Sequence, residues 1–312
     1  MTAAVRRALA LALLAAAGAG GAPTAHPPAA DAALSIWRDG AWHEWWHAAR
    51  APGRWAGTDP RVAGALEWRR LADGVEWAEA RLAGSAPAWR MRLVVARVDP
   101  ARVRLSLAME QDGREGRPAW TIDRAPREAL LAVNAGQFVQ TMPWGWVVID
   151  GRERLRPGEG PLSCALAVDD AGRVRWIAGD SLAAPPRAAS AFQSYPVLLA
   201  NDGAVPEALR GPGRGVNLAH RDARLAIGEA RDGRLLVAMT RFDALGEAAG
   251  ALPIGPTTPE MAAVMGALGA RDAVMLDGGI SAQMLLHDPA SGRRRRWPGL
   301  RKVPLALIVR AK

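Results

Sequence analysis

The sequence predicts an α+β fold: a curved, largely antiparallel sheet with few helices, gathered in a single main domain. Three observations lead there. Apolar runs recur on either side of short Asp-Gly turns, which marks neighbouring antiparallel strands. One segment carries a complete set of helix start and stop signals. No solenoid-length repeat is present.

The first residues divide by composition. Arg6 and Arg7 precede an apolar run, Ala8 to Ala17, and Ala17-Gly18-Ala19 fits a small-residue cleavage site. This predicts a signal peptide over 1–19, and hence an exported protein, periplasmic or secreted. The apolar run is too short to span a bilayer, so no membrane span is expected after cleavage. A Pro/Ala linker is expected over 20–34, a Trp-rich lead-in over 35–73 and the domain proper over 74–312.

The lead-in holds His43-Glu44-Trp45-Trp46-His47, an H-E-x-x-H. On a helix this spacing stacks two imidazoles to share zinc, with the glutamate acting on bound water. Its surroundings argue against that use. Gly40 and Pro52-Gly53 leave room for at most a short helix, and no third ligand follows at zinc-protease spacing. A zinc protease is therefore a minor reading, and incidental histidines among packing tryptophans the main one.

Within the domain, 89–98 and 101–110 read as a β-hairpin or meander turning at Asp99-Pro100, and 126–132 as a short helical piece. Further hairpins are expected at 145–153, 164–179, 195–206 and 224–240. The best helix begins with Thr258 as N-cap, Pro259 at N1 and Glu260 in the first turn. It carries an apolar stripe of Ala262, Val264, Met265 and Leu268, and stops at Gly269. Residues 273–279 read as a buried strand ending in a glycine turn. Residues 281–287 and 303–311 read as the last two strands. Arg293 to Arg296 fall in the loop between them, as a solvated tip or a docking point for an anionic polymer.

The chain has 312 residues, is 50% hydrophobic and carries a net charge of +9; only Lys302 and Lys312 of its 40 basic residues are lysine. The excess suits acidic partners such as anionic glycopolymers or phosphate esters, although a GC-rich genome explains most of it. No nucleic-acid-binding motif is present, and no nucleic-acid partner is expected. A single cysteine, Cys164, excludes an intramolecular disulfide framework and reads as a buried small hydrophobe.

Polar residues concentrate at strand ends in three glycine-containing stretches: VNAGQF (133–138), RLAIG (224–228) and LDGGISAQM (276–284). Asp277 closes an apolar run before two glycines, which puts its carboxylate at the mouth of a buried strand, either facing a ligand or capping its own turn. Ser281 follows across the turn.

These stretches, with FQSYPVLLANDG and the helix before LDGG, resemble the phosphodiester glycosidase family in content and order over roughly 74–310. That family includes the enzyme that uncovers mannose 6-phosphate by removing a capping N-acetylglucosamine, and bacterial exopolysaccharide-associated proteins. The resemblance implies an exported hydrolase of sugar-1-phosphodiester bonds, with cell-surface or extracellular polysaccharide in view. It implies Asp277 as catalytic carboxylate and Arg224 as phosphate clamp. Glu260 could be a second carboxylate or serve the helix dipole. Asn134, Gly136, Gly278, Gly279 and Ser281 would contact substrate, and Gln193 would either position it or make a structural hydrogen bond. Gln137 and Ile280 depart from the family pattern. The sequence specifies neither a metal nor a cofactor. The rival class is a non-catalytic glycan-binding or matrix protein, for which tryptophan-rich surfaces also suit sugar stacking.

Overall fold

The computed structural model describes residues 31–312 apart from 86–89, 114–115, 161, 212–215 and 244–248. The expected signal peptide and most of the expected linker lie outside the described residues.

In chain order the first strands are β1 (Ala33–Arg38), β2 (Ala41–His47), β3 (Arg69–Ala72), β4 (Val75–Gly84), β5 (Arg90–Val98), β6 (Val103–Met109) and β7 (Leu131–Asn134). The middle of the chain adds β8 (Phe138–Val139), β9 (Met142–Pro143), β10 (Val147–Ile149), β11 (Arg152–Leu155), β12 (Cys164–Val168), β13 (Val174–Ala178), β14 (Ser190–Ser194) and β15 (Val197–Leu199). The last are β16 (Leu225–Ala230), β17 (Leu235–Phe242), β18 (Ala270–Leu276), β19 (Met284–His287), β20 (Arg294–Trp297) and β21 (Leu305–Ala311). Among the described residues the α-helices are α1 (Pro60–Gly64) and α2 (Thr258–Ala267).

The strands form a nine-stranded sheet, β15-β18-β16-β17-β5-β4-β1-β2 with β3 on β4. They also form two five-stranded sheets, β11-β10-β14-β12-β13 and β20-β19-β7-β21-β6, and the small pair β8-β9. Neighbours pair antiparallel, as in β16–β17 and β21–β7. The expected antiparallel, helix-poor architecture is therefore the observed one. The largest core cluster draws Val94, Leu131, Leu166, Phe192, Leu276 and Leu307 from all three larger sheets. A second core packs α2 on the outer face of β15, β18 and β16.

Several local expectations are corrected. Residues 89–98 and 101–110 do form strands, but β5 pairs with β4 and β17 while β6 crosses to β21, so they make no hairpin. The segment expected to be helical at 126–132 turns and enters β7, whose four residues are all buried. Propensity loses there to a central position in the sheet. The arginine run is no loop tip: Arg294 to Trp297 form β20 against β19, and Arg295 stacks 4.4 Å from the Trp77 ring. At 195–206 only β15 and a short return bridge form, before a 3₁₀ turn at Glu207–Leu209.

Helix α2 starts one residue earlier than expected. Thr257 is the N-cap and closes a capping box with Glu260: Thr257 Oγ1 accepts from the Glu260 amide and Glu260 Oε2 accepts from the Thr257 amide. All ten helix residues are buried, so the apolar stripe is only part of a helix sealed on every side.

The seal on α2's far side comes from the lead-in. Trp55 lies flat on Gly266, where any side chain would collide with its indole. Trp45, Trp46 and Val62 join the same core. The boundary expected at 73/74 falls inside the β3–β4 hairpin, and the linker expected to reach residue 34 ends where β1 begins.

The H-E-x-x-H segment is a strand, β2, and not a helix. A register shift opposite Leu34/Ser35 leaves Trp45 extra, so two consecutive tryptophans are buried. In a strand, four residues separate the imidazoles by about 13 Å, whereas ligands of one zinc ion sit about 2 Å from it. His43 Nε2 pairs with the Arg38 carbonyl, His47 Nδ1 accepts from Ala49 N, and Glu44 pairs with Arg50. The zinc-protease reading is withdrawn on this geometry.

Replacing Trp55 with alanine should lower unfolding free energy by about 3–5 kcal/mol, the usual loss for an aromatic core truncation. Urea denaturation checks it, and an unchanged midpoint would mean the lead-in is not part of the cooperative core.

Candidate active site

The site is built where β18 ends. Its neighbour β15 pairs with it to Val274 and β16 to Leu276, so the chain delivers Asp277 at the sheet's end in a fixed direction. The backbone of Asp277 is then clamped on both sides by the NAG stretch after β7. Its N–H donates to the Gly136 carbonyl at 2.9 Å, and its carbonyl accepts from Asn134 Nδ2 at 2.8 Å. Asn134 Oδ1 accepts from the Gln283 amide at 3.0 Å, tying the far end of the turn to the same side chain.

The two glycines that follow are required by a close approach. A Cβ on Gly278 would collide with the Ala223 carbonyl. On Gly279, whose φ of 57° is left-handed, a Cβ would lie 2.6 Å from Asp222 Oδ2. Gly279 N donates to the Ala223 carbonyl at 2.7 Å. The turn is thereby pressed against residues 222–223, immediately before β16.

Asp277 is mostly buried, with 19% of its side chain exposed. Burial raises its pKa above the ordinary aspartate value, and the nearby Asp222 charge adds to this; hydrogen bonding from Ser281 and the Arg301 charge oppose it. Arg301 Nη2 lies 3.4 Å from Asp277 Oδ2 and its Nε donates to Ser281 Oγ at 3.0 Å. The guanidinium stacks 4.4 Å from the Phe138 ring. Its loop is pinned to the same turn, with Leu300 N and Arg301 N both donating to the Ile280 carbonyl. Arg301 keeps 47% of its side chain exposed, so it can meet a ligand while holding the carboxylate.

Asp222, on the other flank of the turn, is 22% exposed and lies 3.5 Å from His220 Nε2; its Oδ1 is buried with no hydrogen-bond partner. The site therefore joins Asp277, Ser281, Arg301 and Asp222 around two glycines. Asp222 and Arg301 were missed in the sequence. Asp222 sits in RDARLAIG without a turn to explain it, and Arg301 follows Trp297-Pro298-Gly299, which reads as an ordinary turn.

The remaining candidates take supporting positions. Arg224 is buried, its pKa lowered by that burial; Nε donates to the Pro256 carbonyl at 2.9 Å and Nη2 to the His220 carbonyl at 2.5 Å. Those donors tie together two loops. Glu260 is fully buried, and both carboxylate oxygens accept from Arg221, at 2.6 and 2.8 Å, which anchors the 220–224 segment on α2. Gln193 is buried with its amide bonded to Trp146 N, both main-chain groups of Gly158 and Ser163 Oγ. Asn134 is likewise buried and bonded at both ends. Cys164 is sealed in the core, and burial pushes its thiol pKa up to about 12.

A cavity of about 890 Å³ lies elsewhere, lined by Arg156, Glu159, Asp180, Pro185 and Asn201 among others and by none of the Asp277 group. In the Asp277 cluster carboxylate, hydroxyl and guanidinium are bonded to one another around one turn. No group of three or more histidine, cysteine or acidic residues suited to a metal occurs among the described residues, and no helix there is long and apolar enough to cross a membrane.

A β-sheet scaffold with a polar cluster at a strand end defines a broad class of hydrolase-like and binding domains. The narrower assignment comes from comparison. The phosphodiester glycosidase pattern matches residues 127–310, and the chain belongs to that family. The fold is similar to the catalytic domain of zebrafish N-acetylglucosamine-1-phosphodiester alpha-N-acetylglucosaminidase, a structure auto-inhibited by its pro-peptide. The TM-score is 0.56 at 16% identity, covering 82% of this chain and 87% of that one. It is also similar to a hypothetical protein from Synechocystis, with TM-score 0.55 at 15% identity, covering 79% of this chain and 64% of that one. This chain thus spans under two thirds of the Synechocystis protein. No curated protein matches the sequence.

The raised Asp277 pKa carries a stability consequence. Between the ordinary aspartate pKa and the raised folded value, the folded state holds more protons than the unfolded one, so stability falls as pH rises through that window. Asp277→Asn removes the penalty. Its thermal midpoint should equal or exceed the wild-type value at pH 7, with the advantage fading below the ordinary aspartate pKa. A calorimetric series over pH tests this; a variant less stable at pH 7 than at pH 3.5, relative to wild type, would contradict it.

Proposed function

We propose that this protein is an exported hydrolase of glycosyl phosphodiesters, releasing a free sugar and a phosphomonoester, with phosphate-linked cell-surface or extracellular polysaccharide as its substrate class. One observation carries the reading beyond family membership: a partly exposed arginine and a buried carboxylate of raised pKa share one serine at the end of a central strand. The arginine matches a phosphodiester's single negative charge. The carboxyl, its pKa raised by burial, is suited to donate to the oxygen between sugar and phosphorus. Ser281 links the two, so a phosphate that draws Arg301 away from Asp277 would also raise the acid's proton affinity.

Domain organisation follows the same reading. A signal peptide over 1–19 would be removed on export, and the mature chain would act as one unit, its tryptophan-rich start bracing α2. The exposed Tyr195, in edge contact with Trp144 at 4.6 Å, offers a sugar-stacking face near Gln137, which donates to the Tyr195 carbonyl.

The test is a substrate panel of sugar-1-phosphodiesters, the corresponding uncharged glycosides and sugar-1-phosphates, each with and without chelator. Turnover is expected for the diesters and not for the uncharged glycosides. Arg301→Met should reduce kcat/KM on the diester by about 10²-fold, the scale of losing one charge-stabilising donor. Equal activity on charged and uncharged substrates would remove the phosphate from the account.

A further inference from the structure

We infer that Asp222 is the second catalytic carboxylate of this site, acting as the general base on the water that attacks the anomeric carbon. This deepens the glycosyl phosphodiesterase reading and rests on it.

One buried carboxylate oxygen beside the turn has no partner. Buried carboxylate oxygens are nearly always hydrogen-bonded, and an exception calls for an explanation such as a ligand or water to come. Asp222 Oδ1 is such an exception, and the whole carboxylate lies beside Gly279. Asp222 and Asp277 thus stand on opposite flanks of one two-glycine turn, close enough for the charge of one to oppose ionisation of the other.

The glycines make the arrangement possible, since a Cβ on Gly279 would fill the space where the Asp222 carboxylate lies. The flank carrying Asp222 is fixed independently: Arg221 is held by Glu260 of α2, Arg224 bonds the His220 and Pro256 carbonyls, and Asp222 N donates to the Pro256 carbonyl at 3.4 Å. Arg221, Arg224 and the Asp222 backbone are anchored, and the Asp222 carboxylate keeps one buried oxygen without a partner.

Two carboxyl groups in unlike surroundings are what hydrolysis at an anomeric carbon uses, one protonated and one ionised. Asp277 has the burial, and Arg301 beside it faces the phosphate. Asp222, across the turn and facing His220, is the carboxylate assigned to the attacking water. In the step, the C1–O bond to the phosphate breaks and its electron pair goes to the bridging oxygen, which takes the proton of Asp277. The oxygen of water bonds to C1 as its proton passes to Asp222. The products are the free sugar and a phosphomonoester, and solvent returns Asp277 and Asp222 to their starting protonation states.

The charged groups around the pair are His220 and Arg224 on the Asp222 side and Arg301 on the Asp277 side, with the Arg221–Glu260 pair behind Arg224. His220 lies 3.5 Å from Asp222, so His220→Gln is the control for any pH effect credited to Asp222.

The experiment compares wild type, Asp222→Asn, Asp222→Ala and His220→Gln on a sugar-1-phosphodiester in ¹⁸O-labelled water, with a pH profile of kcat/KM. A carboxyl NMR titration of Asp277 is run alongside without substrate. The label should appear on the sugar. Asp222→Asn should lose 10²- to 10⁴-fold in kcat, as expected for a general base, and lose the acidic limb of the profile, which His220→Gln keeps. Formate should restore part of the Asp222→Ala rate. In the NMR titration, Asp222→Asn should move the Asp277 midpoint to lower pH. Label on the phosphate, or Asp222→Asn turning over like an active wild type, would overturn the role of Asp222 and leave the phosphodiesterase reading standing. An unmoved Asp277 midpoint would show that the two carboxyls share no site. A wild type inactive on every diester would overturn both.

Discussion

The structure depends on one backbone clamp. Asp277 leaves a central strand and is gripped at once by the Gly136 carbonyl and the Asn134 amide, from a different sheet. Through Asn134 and Gln283 the same grip extends to the start of β19, and Gln283 reaches on to Ile122 N at 2.9 Å. Buried polar groups must be paired, and these satisfy one another across the junction of two sheets. The Asn134 side chain and the Gly136 carbonyl therefore hold the Asp277 turn in place.

The clamp also explains why a carboxylate can be kept in an unfavourable setting. Burying Asp277 raises its pKa and costs stability at neutral pH, a cost the surrounding sheet core is large enough to absorb. Ser281 and Arg301 offset part of it. Arg301 is in turn oriented by Phe138 beneath and by the Ile280 carbonyl, so the single exposed cation of the group is fixed as well as charged. In the second anchor, Glu260 is fully buried and Arg221 reaches it from a partly exposed position. A helix cap and an ion pair there position the segment that brings Asp222 to the turn.

Much of this was legible in the sequence, for identifiable reasons. Asp-Gly turns between apolar runs encode local hairpins, and β10–β11, β12–β13 and β16–β17 formed where such turns stood. The LDGGIS turn stood out because two glycines follow a buried strand, a pattern that suits a close approach as well as a tight turn. What the sequence concealed is non-local. β5 and β6 look like a hairpin because each alternates correctly, but their partners lie far along the chain. Arg224 reads as a phosphate clamp through its place in the family motif; in the fold its Nε and Nη2 bond the Pro256 and His220 carbonyls, contacts that no sequence spacing shows. Arg301 and Asp222 carry no spacing signal, since each reaches the site across a turn packed against it from another part of the chain. The H-E-x-x-H shows the converse: a literal motif emptied of meaning by a change from helical to extended backbone.

The central claim is that Asp277 does chemistry at this strand end, beyond shaping a turn. The most direct measurement is release of free sugar from UDP-N-acetylglucosamine and simpler sugar-1-phosphodiesters by wild type and by Asp277→Asn, each first shown to be folded by circular dichroism. The account predicts turnover by the wild type and its loss in the variant, with ligand binding largely retained. Undiminished turnover by Asp277→Asn would contradict it.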